Sequence, residues 1–101
     1  MYISGGENVY PAEVEQVIHH MPTVGDVAVI GVPDERWGES GLAIVVKAAG
    51  KLVTEEEIIE VCRRNLAKFK VPKGVQFIDE IPRNAAGKIL KRVLKEQFGA
   101  G

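Results

Sequence analysis

Two short stretches hold residue types that could do chemistry: "ISGGEN", residues 3–8, and "IPRNAAGKILKR", residues 81–92. In the second, Lys88 follows Gly87 on a loop of small residues, Ala85, Ala86 and Gly87, with little bulk to shield its ammonium. Such a lysine either is one more solvated surface charge, the usual fate of lysine, or is offered to an anion. A Gly-Lys pair before a helix invites comparison with a phosphate-binding loop. That pattern needs glycine six residues before the lysine and Ser or Thr directly after it. Here those positions are Pro82 and Ile89, so the comparison fails. No Ser-His-Asp arrangement is present. His19 and His20 are adjacent on a predicted helix and point in different directions, and Cys62 has no nearby ligand partner, so no metal site is expected. Gly5-Gly6 taken alone signals only a turn.

These stretches sit in a chain of 101 residues, 46% hydrophobic and 27% charged, the composition of one soluble globular domain. No apolar run approaches the ~20 residues of a membrane helix and no signal peptide opens the chain. The single cysteine excludes an internal disulfide and fits the reducing cytoplasm. The net charge of −1 conceals an asymmetry: residues 1–60 carry 3 basic and 11 acidic side chains, net −8, and residues 61–101 carry 10 and 3, net +7. A basic C-terminal part suits an anionic ligand or an acidic surface. With only six aromatic residues and no RNA- or DNA-reading motif, a nucleic-acid partner is not expected.

The elements that must position the two stretches are legible from pattern. Two short β-prone pieces around Gly5-Gly6 predict a hairpin over residues 1–10. Pro11 suits a first helical turn, and Val14, Val17, Ile18 and Met21 mark one apolar face. "VAVIGV" is apolar on both faces, Val27/Val29 and Ala28/Ile30, as expected of a strand covered on both sides. "GLAIVV" predicts its antiparallel neighbour. The connection between them holds Trp37, expected to pack its ring on the core. Thr54 and Glu57 form a capping box, followed by an apolar stripe of Ile58, Cys62, Leu66 and Phe69. "VQFID" predicts a third strand, and a last helix runs from about Lys88 to Phe98. The expected fold class is α+β: a small three-stranded sheet flanked by helices, with an appended N-terminal β-hairpin at 1–10 and a core at 11–101.

Taken together, "ISGGENVYPAEVE", "VAVIGVPDERWGE" and "KFKVPKGVQFIDEIPRNAAGKILKR" resemble, in order and spacing, the C-terminal domain of acyl-CoA synthetases, within the adenylate-forming enzyme superfamily. The likeness spans essentially the whole chain and leans toward the fatty-acyl- and aryl-CoA ligase branch. It implies a two-step reaction: a carboxylate and ATP with Mg²⁺ give an acyl-adenylate and pyrophosphate, then coenzyme A displaces AMP to form the thioester. The resemblance makes Lys88 the adenylation lysine, in a loop supported by Asn84 and Gly87. It assigns Ser4, Gly5, Gly6 and Glu7 to the coenzyme A channel, swung in by rotation of the domain. It further implies that the partner is a large N-terminal adenylation domain absent from this chain, so that the chain alone is inactive. The family's usual threonine is replaced by Asn84, which keeps hydrogen-bonding capacity. An alternative from another class is a free-standing anion-binding or adaptor module that keeps the fold without catalysis.

Overall fold

The computed structural model describes residues 1–99, so the last two positions of the expected 11–101 core lie outside the described residues. The elements, in chain order, are β1 (Tyr2–Ser4), β2 (Glu7–Val9), α1 (Pro11–His19), β3 (Val24–Asp34) and β4 (Gly38–Lys47). They are followed by α2 (Glu55–Asn65), a 3₁₀ turn at Lys68–Lys70, β5 (Gly74–Phe77) and α3 (Lys91–Phe98). The α+β class expected from the pattern is borne out. The strand count is not: the sheet has five strands, in the order β2-β1-β4-β3 with β5 also on β4. The N-terminal hairpin is not an appendage, because Ser4 pairs with Gly38 and joins β1 to the main sheet.

The sheet is mixed. β3 and β4 run antiparallel from Val24↔Lys47 to Asp34↔Gly38, with a register shift between Val24 and Asp26. β5 lies parallel to β4, from Leu42↔Gly74 to Val45↔Phe77. Parallel neighbours need a crossover, and α2 supplies it. The Thr54–Glu57 capping box forms as expected: Thr54 Oγ1 accepts from the Glu57 N–H at 3.2 Å, and Glu57 Oε1 accepts from the Thr54 N–H at 2.9 Å.

Alternation along β3 divides the core in two. Val27, Val29, Ala43 and Val45 face α1 and α2, where Val14, Ile18, Ile58 and Cys62 complete one cluster. Ala28, Ile30, Val32 and Ile44 face the other way and pack with Ile81 and with Leu94 of α3. The sheet is therefore covered on both faces, as the two-sided apolar pattern requires. The stripe expected to continue α2 stops short: the helix ends at Asn65, and Phe69 sits on the 3₁₀ turn with its ring partly exposed.

Two of the edge strands, β3 and β5, are closed by helix-borne glutamates. Glu15 of α1 accepts from the Val29 N–H at 2.8 Å, and Glu55 of α2 accepts from the Val75 N–H at 2.7 Å. Lys91 of α3 completes the β3 edge, its Nζ donating to the Val29 carbonyl and to Glu15 Oε2, each at 2.7 Å. Side chains thus replace a neighbouring strand, which protects the edge from further pairing.

Candidate functional site

The lysine loop is a small β-turn structure and not the mouth of a helix. Arg83 and Ile89 form an isolated antiparallel bridge, and the Asn84 N–H donates to the Lys88 carbonyl at 2.9 Å. Lys88 and Ile89 are therefore extended, and α3 begins at Lys91, three residues later than the periodicity suggests. Gly87 has φ +85°, a left-handed conformation that side-chain-bearing residues rarely adopt. Asn84 folds over the turn, its Oδ1 accepting from the Ala86 and Lys88 N–H groups at 2.9 and 3.0 Å. An amide oxygen closes this turn as a hydroxyl oxygen can.

Arg83 ties the loop to the sheet. Its Nη1 donates to the Gly87 carbonyl at 2.9 Å and its Nη2 to Asp26 Oδ2 at 2.7 Å. Asp26 sits at the β3 register shift, and its Oδ1 also accepts from the Val27 N–H at 2.9 Å. In contrast to this well-tied backbone, the Lys88 ammonium has no hydrogen bond or ion pair among the described residues, although Lys70, Arg83 and Lys91 each pair with a carboxylate. Sequence reading did not single out Arg83 or Asp26. They lie 57 residues apart, beyond any local pattern.

The glycine hairpin is built as expected. Gly5 and Gly6 take φ +58° and +83°, the two positive values of a type I′ turn. The two glycines have different surroundings. A Cβ on Gly5 would lie 3.0 Å from Trp37 Cε3, whereas one on Gly6 would meet nothing within 4 Å. Gly5 is a packing position and Gly6 opens outward. Ser4 is buried where β1 meets β4, and Glu7 is exposed at the start of β2.

Trp37 corrects the expectation of a core plug. It is 48% exposed, rests on the glycine turn, and carries the Arg36 guanidinium 4.7 Å from its ring centre. Its carbonyl accepts from the Gly5 N–H at 2.9 Å, so the loop supports the hairpin and not the core. Asp34 shapes that loop by accepting from the Arg36 and Trp37 N–H groups and from the Ser40 hydroxyl. The Ser40 bond first, then those two N–H groups, hold its carboxyl below the usual range.

A second feature escaped sequence reading. Gly31 and Gly41 face each other across β3 and β4, and the Tyr2 ring lies over the pair. This slot docks the hairpin on the sheet. Two glycines ten residues apart in strand-like runs are the only trace it leaves in sequence.

The two motifs lie at opposite ends of one ladder. The glycine turn joins at Gly38, opposite Asp34, whereas the lysine loop is tied to Asp26. Asp34 lies eight residue steps along β3 from Asp26, roughly 26 Å at the usual rise. The surface groove between α1 and α2, lined by Val17, His20, Met21 and Val61, contains neither motif. Among the described residues no cluster of His, Cys, Asp or Glu could hold a metal ion, and no helix is long and apolar enough to cross a membrane.

Comparison with known proteins agrees with this architecture. Residues 13–88 match the AMP-binding enzyme C-terminal domain. The chain is 58% identical over 100 residues to the long-chain-fatty-acid–CoA ligase FadD13 of Mycobacterium tuberculosis, covering 99% of this chain and 20% of that protein. It is 52% identical to a feruloyl-CoA synthase of Amycolatopsis, covering 98% of this chain and 20% of that protein. It superposes on ATP-bound MatB from Rhodopseudomonas palustris with a TM-score of 0.95 and 44% identity, over 99% of this chain and 20% of that one. The chain thus spans about a fifth of the length of the relatives it matches. With three quarters of its residues within the family match and these identities over nearly its whole length, the chain belongs to the AMP-binding enzyme C-terminal domain family.

Proposed function

We propose that this chain is the mobile C-terminal domain of a cytoplasmic, ATP-dependent carboxylate–CoA ligase, working against its own N-terminal adenylation domain. The observation that carries the reading is the separation of the two motifs by roughly 26 Å of strand, on a family whose relatives are named as CoA ligases. One compact site cannot use both ends of such a ladder at once. A domain that turns between two chemical steps can use each in sequence.

In the first step a carboxylate oxygen attacks the α-phosphorus of ATP, supplied with Mg²⁺, and pyrophosphate leaves. Two anions approach each other, and Lys88 offers an unpaired ammonium to offset their repulsion. Its tied backbone and free side chain suit that task. In the second step the sulfur of coenzyme A attacks the acyl carbon and AMP leaves. The Ser4–Gly5–Gly6–Glu7 turn then borders the pantetheine arm, Gly6 presenting backbone alone to a narrow channel. Coenzyme A and ATP are substrates here, and the acyl group is selected by the other domain.

The test is made in the full-length ligase that carries this chain. Lys88→Ala should slow ATP–pyrophosphate exchange by roughly 10²–10³-fold, the loss of one preorganised electrostatic donor, while preformed acyl-adenylate still reacts with coenzyme A at near-normal rate. Gly6→Leu should do the reverse. Because Gly6 has a positive φ, Gly50→Leu, at φ +71° with equally open surroundings, is the control for backbone strain. Equal slowing of both half-reactions by Lys88→Ala, or equal effects of the two glycine variants on thioester formation, would remove the assignment.

A further inference from the structure

We propose that Arg83 is a positioning residue for adenylation, holding the peptide plane from which Lys88 projects, with Asp26 as its anchor. The inference rests on the reading of Lys88 given above and adds what makes that lysine's geometry reproducible. The peptide unit joining Gly87 to Lys88 has one carbonyl and one N–H, and a side chain grips each. Arg83 Nη1 holds the carbonyl at 2.9 Å, and Asn84 Oδ1 holds the N–H at 3.0 Å. On the other side of the Lys88 Cα, its carbonyl accepts from the Asn84 N–H at 2.9 Å. Both peptide planes flanking that Cα are thereby set, and with them the direction of the Cα–Cβ bond.

A lysine side chain is long and flexible, so its ammonium samples a wide volume unless its root is fixed. Arg83 can fix it because the guanidinium offers separate N–H groups in a rigid fork. One points at Gly87 and the other at Asp26 Oδ2, 2.7 Å away. Asp26 is itself oriented by the Val27 N–H, and it stands at the register shift in β3. Such irregularities re-aim side chains. The Arg83–Asp26 pair is partly exposed, so it contributes little to folding. Its geometry serves the loop.

The experiment uses the full-length ligase, with Arg83→Met to remove the fork and keep the stem, and Asp26→Asn to loosen the anchor. Both half-reactions are measured, in the wild-type and Lys88→Ala backgrounds. Arg83→Met should slow ATP–pyrophosphate exchange at least about tenfold and up to ~10²-fold, the range expected of a misplaced group. Thioester formation from preformed acyl-adenylate should stay within about twofold, which also reports intact folding. Asp26→Asn should give a smaller loss of the same kind and add little to Arg83→Met. In the Lys88→Ala background Arg83→Met should have almost no further effect, because its action passes through Lys88. A full additional loss there, equal slowing of both half-reactions, or unchanged exchange in Arg83→Met overturns the proposal. Unchanged exchange in Lys88→Ala alone would instead bring down the underlying reading, and the two failures are told apart by that variant.

Discussion

The Tyr2 slot can be tested by one double-mutant cycle, with magnitudes worked from the packing. Tyr2 is only 3% exposed, and its hydroxyl is buried without a partner among the described residues. Burial first, then the charge of Glu39, pushes its pKa up to about 12. A buried hydroxyl left unbonded costs ~1–3 kcal/mol. Tyr2→Phe is therefore expected to be neutral or stabilising, by up to about 1 kcal/mol after allowance for partial relaxation. Gly41→Ala does the opposite, because its Cβ would collide with the Tyr2 hydroxyl and lie 3.2 Å from Cζ. Overpacking of this kind costs ~1–3 kcal/mol, offset by ~0.5–1 kcal/mol gained when glycine leaves a strand. A net loss of about 1–2 kcal/mol follows. In the Tyr2→Phe background the nearest obstacle is gone and the remaining 3.2 Å contact needs only a few tenths of an ångström of movement. Most of the loss should then disappear, a coupling of at least about 1 kcal/mol, within the range for touching residues. Urea unfolding of the 101-residue chain, followed by circular dichroism, gives all four stabilities. Additivity within about 0.3 kcal/mol, or a Tyr2→Phe variant less stable by more than 1 kcal/mol, would refute the slot as the seat of the hairpin.

Two further outcomes follow from the same packing. Burial pushes the Cys62 thiol from 9.0 up to about 11, so its contribution to stability is complete below pH 9 and is lost as pH rises toward 11. The urea midpoint should fall across that window, and thiol labelling at pH 8 should proceed only as fast as the chain opens; fast labelling of the native chain would contradict its burial. Trp37→Ala should cost only roughly 1–2 kcal/mol, well below the ~3–5 of a fully buried aromatic, and its native emission should be quenched readily by iodide. An emission shielded from quencher would restore the core-plug reading that the structure has set aside.

Much of this protein is legible in its local sequence. The capping box at Thr54, the two-sided apolar run of β3, and the Gly5-Gly6 turn each depend on residues a few positions apart, and each forms as the pattern requires. The order of the three motifs also points to the family before any fold is known. What only the tertiary structure decides is pairing between distant residues. The sequence read as three strands because the three-residue β1 and β2 join the main sheet by one strand pair, Ser4↔Gly38, which no periodicity can signal. Trp37 looked like a core residue because aromatic rings usually are, yet its ring rests on the glycine turn and stays half exposed. Helix periodicity ran back to Lys88 because Ile89 does pack on the core, but from an extended bridge to Arg83. The ties that hold the candidate lysine reach 57 residues to Asp26. Such bonds form only after the chain has folded and brought the loop to the register-shifted end of β3, so their physical cause lies in the fold and not in any neighbouring residue.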